Sequence, residues 1–135
     1  MNSAYELKRE LLAFIKEVHL LTDKAKGSQE ITKQDLEHFS ETVWRVDHFA
    51  TAALDENEES DIWYNAYIVK GIVTQPLQLS SLAPHNTTLI QAADLAKKHQ
   101  NEVIMRTLIN NWAEADTLRH NFIQNLSEIA NDLAA

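Results

Sequence analysis

The sequence predicts an all-α protein, an antiparallel helical bundle of about five helices. Three observations carry that expectation. Apolar residues recur at spacings of three and four along most of the chain, which is the helical period. Only two glycines and two prolines occur in 135 residues, whereas sheets need turns built mostly from Gly, Pro, Asn and Asp. The balance of 44% hydrophobic and 24% charged residues is that of an ordinary globular chain. At this length, residues 1–135 are expected to form a single domain.

The first helix is expected from about Ser3 to Ala25. Leu7, Leu11, Phe14, Ile15, Val18 and Leu21 form its apolar stripe. Lys24 and Lys26 suit the negative end of the helix dipole, and Gly27 is expected to take the left-handed stop. Thr32 reads as the N-cap of a second helix, with Ile31 and Leu36 placed as a hydrophobic staple across it. That helix is expected to run to about Leu54 on a stripe of Leu36, Phe39, Val43, Val46, Ala50 and Ala53.

Asp55 to Asp61 (DENEESD) reads as a loop, with Ser60 capping a third helix. The third helix has two apolar sides. Ile62, Ala66, Val69, Ile72 and Val73 share one; Trp63, Tyr64 and Tyr67 share the other. The β-branched cluster Ile68, Val69, Ile72 and Val73 leaves a short strand as the local alternative. Pro76 and Pro84 mark breaks.

From Asn86 to Leu133 the helical period never clearly fails. The stripe runs through Leu89, Ile90, Ala93, Ala96, Val103, Ile104, Leu108, Trp112, Ala115, Leu118, Phe122, Leu126, Ile129 and Leu133. One helix of that length would span about 70 Å, too long for a compact domain of this size. A break at Asn110-Asn111, with Asn111 as N-cap and Glu114 at N3, gives five helices of similar length. A break within Lys97–Asn101 is the alternative, as is one long C-terminal helix in a four-helix arrangement.

Charge is distributed unevenly. The chain carries a net charge of -8, and residues 31–62 alone hold nine acids against two bases. Such a block disfavours nucleic acid and anionic membrane and favours a basic partner. No apolar run approaches the roughly 18 residues of a membrane span. Glu6, Glu10 and Glu17 interrupt the apolar residues near the start, so no secretory leader is expected and the cytoplasm is the expected location. With no cysteine there is no disulfide, no thiolate metal site and no Cys nucleophile. No G-x-S-x-G and no phosphate-cradling glycine loop are present.

Several side-chain groupings invite a functional reading. Setting Leu36 at 0°, Glu37, Glu41, Trp44 and His48 fall between about 80° and 140°, on one line facing away from the expected core. A tryptophan among acids on an outward face suits a protein-binding hot spot, although another helix of the bundle covering Trp44 would explain it equally. Asp55, Glu56, Glu58 and Glu59 extend the acidic character, or simply keep a helix start solvated. Trp63, Tyr64 and Tyr67 suit a pocket or an interface; a helix buried on both sides is the plainer reading. Asp35/His38 and Asp116/His120 resemble metal-ligand spacings, but His38, His48 and His120 lie off the core stripes. No metal and no other cofactor is expected.

The function these features favour is a non-catalytic, acidic protein-binding module of immunity-protein, antitoxin or adaptor type. Its partner is expected to be another protein, basic in character, and self-association into a homodimer or other homo-oligomer is a further expectation. The rival is a ligand- or metal-sensing helical bundle with a pocket near the aromatic side of the third helix. An acid–base enzyme would leave no signature in such a bundle.

Overall fold

The computed structural model describes residues 3–58, 60–74, 102, 103 and 105–133. The protein is an all-α helical bundle. Helix α1 is Ser3–Lys26, α2 is Lys33–Glu56 and α3 is Asp61–Thr74. A fourth helix, α4, runs over residues 105–114, and α5 is Asp116–Leu133. Among the described residues there is no strand, and Ile68 and Val69 lie within α3.

Contacts at both ends make α1 and α2 antiparallel. Lys24 near the end of α1 meets Asp35 at the start of α2 at 2.6 Å. At the other end, Ser3 Oγ donates to Glu56 Oε1 at 2.7 Å. The turn between them closes α1 differently from expectation. The left-handed residue is Ser28 (φ 58°), not Gly27. Ser28 N donates to the Ala25 carbonyl and Gln29 N to the Lys24 carbonyl, the paired bonds of a Schellman closure. α1 continues one residue past Ala25, to Lys26, so the left-handed position falls just beyond the glycine.

Thr32 caps α2 as expected. Its hydroxyl accepts from Asp35 N, and the Asp35 carboxylate accepts from Thr32 N at 2.9 Å, completing a capping box. Ile31 and Leu36 are both buried in the core beside it. The hydrogen bond from Lys24, with those from Thr32, holds the Asp35 carboxyl below its ordinary pKa. This contribution to stability is therefore present above the unfolded-state pKa and is lost as pH falls through the lower folded-state value. Thr32→Ala should destabilise the protein by about 0.5–2 kcal/mol through loss of the cap, read as a lower urea midpoint. An unchanged midpoint would show that the cap contributes nothing to holding α2.

α2 is longer than the sequence suggests. It ends at Glu56, not near Leu54, so Asp55 and Glu56 belong to its last turn rather than to a loop. Asn57 closes the helix, its backbone N–H and its side-chain amide both donating to the Ala53 carbonyl. Ser60 caps α3 through a 3.1 Å bond from Trp63 N. α3 returns along α2, tied there by Lys70 Nζ donating to Thr51 Oγ1 at 2.7 Å and lying 3.6 Å from Asp47.

The C-terminal half breaks at Ala115, not at Asn110-Asn111. Asn110 and Asn111 are helical, so Asn111 caps nothing; its carbonyl accepts from Ala115 N in an ordinary helical bond. Arg119 reaches back to the Trp112 carbonyl and also pairs with Asp116. Lys26 at the end of α1 meets Asp116 at 2.5 Å, which joins the start of α5 to α1.

The core is one contiguous cluster drawn from all of these helices. At its centre four rings close a circuit. Phe14 stacks on Phe39, Phe39 meets the edge of Trp112, Trp112 stacks on Phe122, and Phe122 returns edge-on to Phe14, with centroids 5.4–6.4 Å apart. Val103 and Leu118, expected in the stripe, are exposed instead, and Met105 and Ile109 take the inward positions of α4. Steps of four residues drift about 40° each on a helix. Leu118, two such steps before Leu126, has therefore rotated out, and Arg119 is the better-covered neighbour. The expected breaks at Pro76 and Pro84, and the stripe from Leu89 to Ala96, lie outside the described residues.

Candidate functional site: the outer row of α2

α2 buries Leu36, Phe39, Val43, Val46, Ala50 and Ala53 against α1 and the rest of the core. The same 3.6-residue period sends Glu37, Glu41, Trp44 and His48 to the opposite side, and all four are exposed. Trp44 is 64% exposed, so no other described helix covers it. Its ring stacks on His48 (5.2 Å, 15°), and His48 meets the edge of Phe49 at 5.0 Å. The indole is thus held flat along the helix by its own neighbours rather than by a second element. Arg45 lies 3.7 Å from Glu41 on the edge of the row, an exposed pair of small energetic weight.

Because α2 extends through Glu56, Asp55 falls on the same line at about 100°, extending the row to about 27 Å from Glu37. Its exposed side chain continues the acidic face. Glu58 is exposed just beyond the helix end. Glu59 lies outside the described residues.

Glu56, one of the expected partner-binding acids, is exposed and also makes a contact inside the fold. Its carboxylate accepts from Ser3 Oγ and from Ser3 N at 3.3 Å, so it sits on the N-terminus of α1. An acid in the last turn opposes the dipole of its own helix, whereas at the start of a neighbour it is favourable, and antiparallel packing brings the two together. This contact spans 53 residues of sequence. Only the fold brings those positions into contact.

The aromatic side of α3 borders this row. Trp63, Tyr67 and Lys70 recur at four and three, on one side of the helix, and Lys70 reaches across the seam to Thr51, three residues beyond His48. Trp63 stacks on Tyr67 at 5.5 Å and 10°. Tyr64 and Tyr67 are 61% and 60% exposed. They face solvent, so the reading of α3 as buried on both sides does not hold. A cleft of about 330 Å³ lies elsewhere, at the α1–α2 turn, lined by Ser28, Gln29, Ile31, Arg106 and Asn110 among others.

Sequence reasoning also missed Glu17. It is buried on α1, with Oε2 3.3 Å from His38 Nε2 on α2. Burial pushes its carboxyl above the ordinary range, Asp35 adds to that rise, and His38 opposes it. A glutamate between Ile15 and Val18 on the packed side is the signal that was there to read. Among the described residues no group of three or more histidine and carboxylate side chains could hold a metal ion. None of the described helices is long and apolar enough to cross a membrane. Compared with protein-family models, curated proteins and solved structures, the chain matches none of them.

Proposed function

We propose that this chain is a non-catalytic protein-binding module, of immunity-protein, antitoxin or adaptor type, that docks a basic partner on the outer row of α2. The observation that carries this reading is Trp44, a large indole standing in solvent on a line of Glu37, Glu41 and Asp55. An exposed tryptophan contributes nothing to the core, while tryptophan is among the residues most enriched at binding hot spots. Acids around it steer a basic partner and set its register. We place this activity in the cytoplasm.

Charge reversal tests the reading. Once a partner has been captured from the host and purified, Glu37→Lys with Glu41→Lys should slow association at least about ten-fold with little change in dissociation. The difference should shrink in about 1 M salt, where the Debye length is about 3 Å. A partner whose association rate ignores both the reversal and the salt does not dock on this row.

A further inference from the structure

The outer side of α1 carries a row used neither by the core nor by the face just described. Leu7, Leu11, Phe14 and Val18 point inward. Arg9, Leu12, Lys16, His19 and Leu20 lie on the opposite side, all exposed. Leu12 is 46% and Leu20 53% exposed, with Lys16 standing between them. Three of the four acids of α1 sit to one flank: Glu17 is turned to His38, and Glu6 and Glu10 lie beside Arg9; the fourth, Asp23, is exposed at the C-terminal end of the row. Over their lengths α1 holds five bases against four acids, and α2 two bases against six acids. One chain thus presents an apolar row with a basic residue at its centre and an aromatic row flanked by acids.

We propose that the outer row of α1 docks on the outer row of α2 in a second copy of this chain, with Leu12 seated against Trp44. The inference rests on the reading of α2 as a docking face and names its partner. Spacing supports the match. Arg9, Leu12 and Lys16 recur at three and four, as Glu41, Trp44 and His48 do, so each row is a straight line along its helix that a facing helix can cover. With Leu12 at Trp44, a parallel arrangement sets Asp23 against Asp55. The antiparallel arrangement avoids this, placing Lys16 opposite Ser40 and next to Glu41, His19 opposite Glu37, and Asp23 opposite Lys33. The contact is heterologous, because each copy uses a different face. Every added copy therefore leaves one free row of each kind, and assembly grows as a chain or closes into a ring.

Sedimentation equilibrium of the full chain tests this. The average mass should rise with concentration, and the association constant should fall at least about ten-fold between about 0.1 M and 1 M salt. Leu12→Ala with Lys16→Ala removes the α1 row, and Glu37→Lys with Glu41→Lys removes the α2 row. Each variant alone should be monomeric, with an unchanged urea midpoint. Mixed, they retain one good row each and should form a 1:1 pair that grows no further. A wild-type protein that stays monomeric overturns the second copy as occupant. So does association that survives in either variant alone, since another face would then carry it. Neither result bears on docking of a separate basic protein on α2, which the charge-reversal kinetics decide independently.

Discussion

Truncating Trp112 to alanine should cost about 3–5 kcal/mol of stability, the largest effect expected of any single substitution described for this protein. Trp112 is buried on α4, where it meets Phe39 of α2 and stacks on Phe122 of α5. Phe122 and Phe39 in turn both touch Phe14 of α1. Removing the indole opens a cavity where four helices converge, and the remaining rings lose their contacts on one side because packed cores relax only partly. Small domains are stable by only about 5–15 kcal/mol, so the loss should move the urea midpoint by a large fraction of its value. A midpoint shift worth less than about 1 kcal/mol would show that the four-ring circuit is not the centre of the core.

Trp44→Ala should do the opposite. Folding should change by no more than about 0.5 kcal/mol, since the side chain stands in solvent and its ring contacts are with His48 on its own helix. Binding should weaken by about 2 kcal/mol or more, roughly thirty-fold in Kd. Urea melts and calorimetric titration with the purified partner, run on the same preparation, separate the two effects. A variant that unfolds would make Trp44 a core residue. One that folds and binds as well as wild type would remove the hot spot from the proposed docking row.

Same residue type, two opposite expectations: the difference was partly legible in the chain. Trp112 lies on an apolar stripe at helical spacing, and Trp44 lies about 130° from the centre of the stripe on its own helix. Periodicity decides which side of a helix a residue occupies. It does not decide whether a second helix covers that side. For Trp44 and for Tyr64 and Tyr67 the answer is solvent, and it came from the positions of the neighbouring helices. Glu56 shows the same limit from the other direction, since an acid that reads as part of a solvated run is engaged at the start of α1.

What the chain determines by itself is local. The all-α class follows from the 3.6-residue period and the scarcity of turn residues. The starts of α2 and α3 follow from Thr32 and Ser60, because a cap is a bond between residues three apart. Helix ends were less well determined. The closure of α1 fell on Ser28 instead of Gly27, α2 ran on through Glu56, and the C-terminal break moved from Asn111 to Ala115. An end depends on where packing stops sustaining the helix, and several residues in each region tolerate either state. Tertiary structure alone decided which contacts cross from helix to helix: Glu56 on Ser3, Glu17 beside His38, Lys26 on Asp116, and the Lys70 tie that brings the α3 aromatics to the edge of the acidic row. These contacts join residues far apart in sequence, and no local periodicity or cap encodes a distance that exists only once the helices have packed.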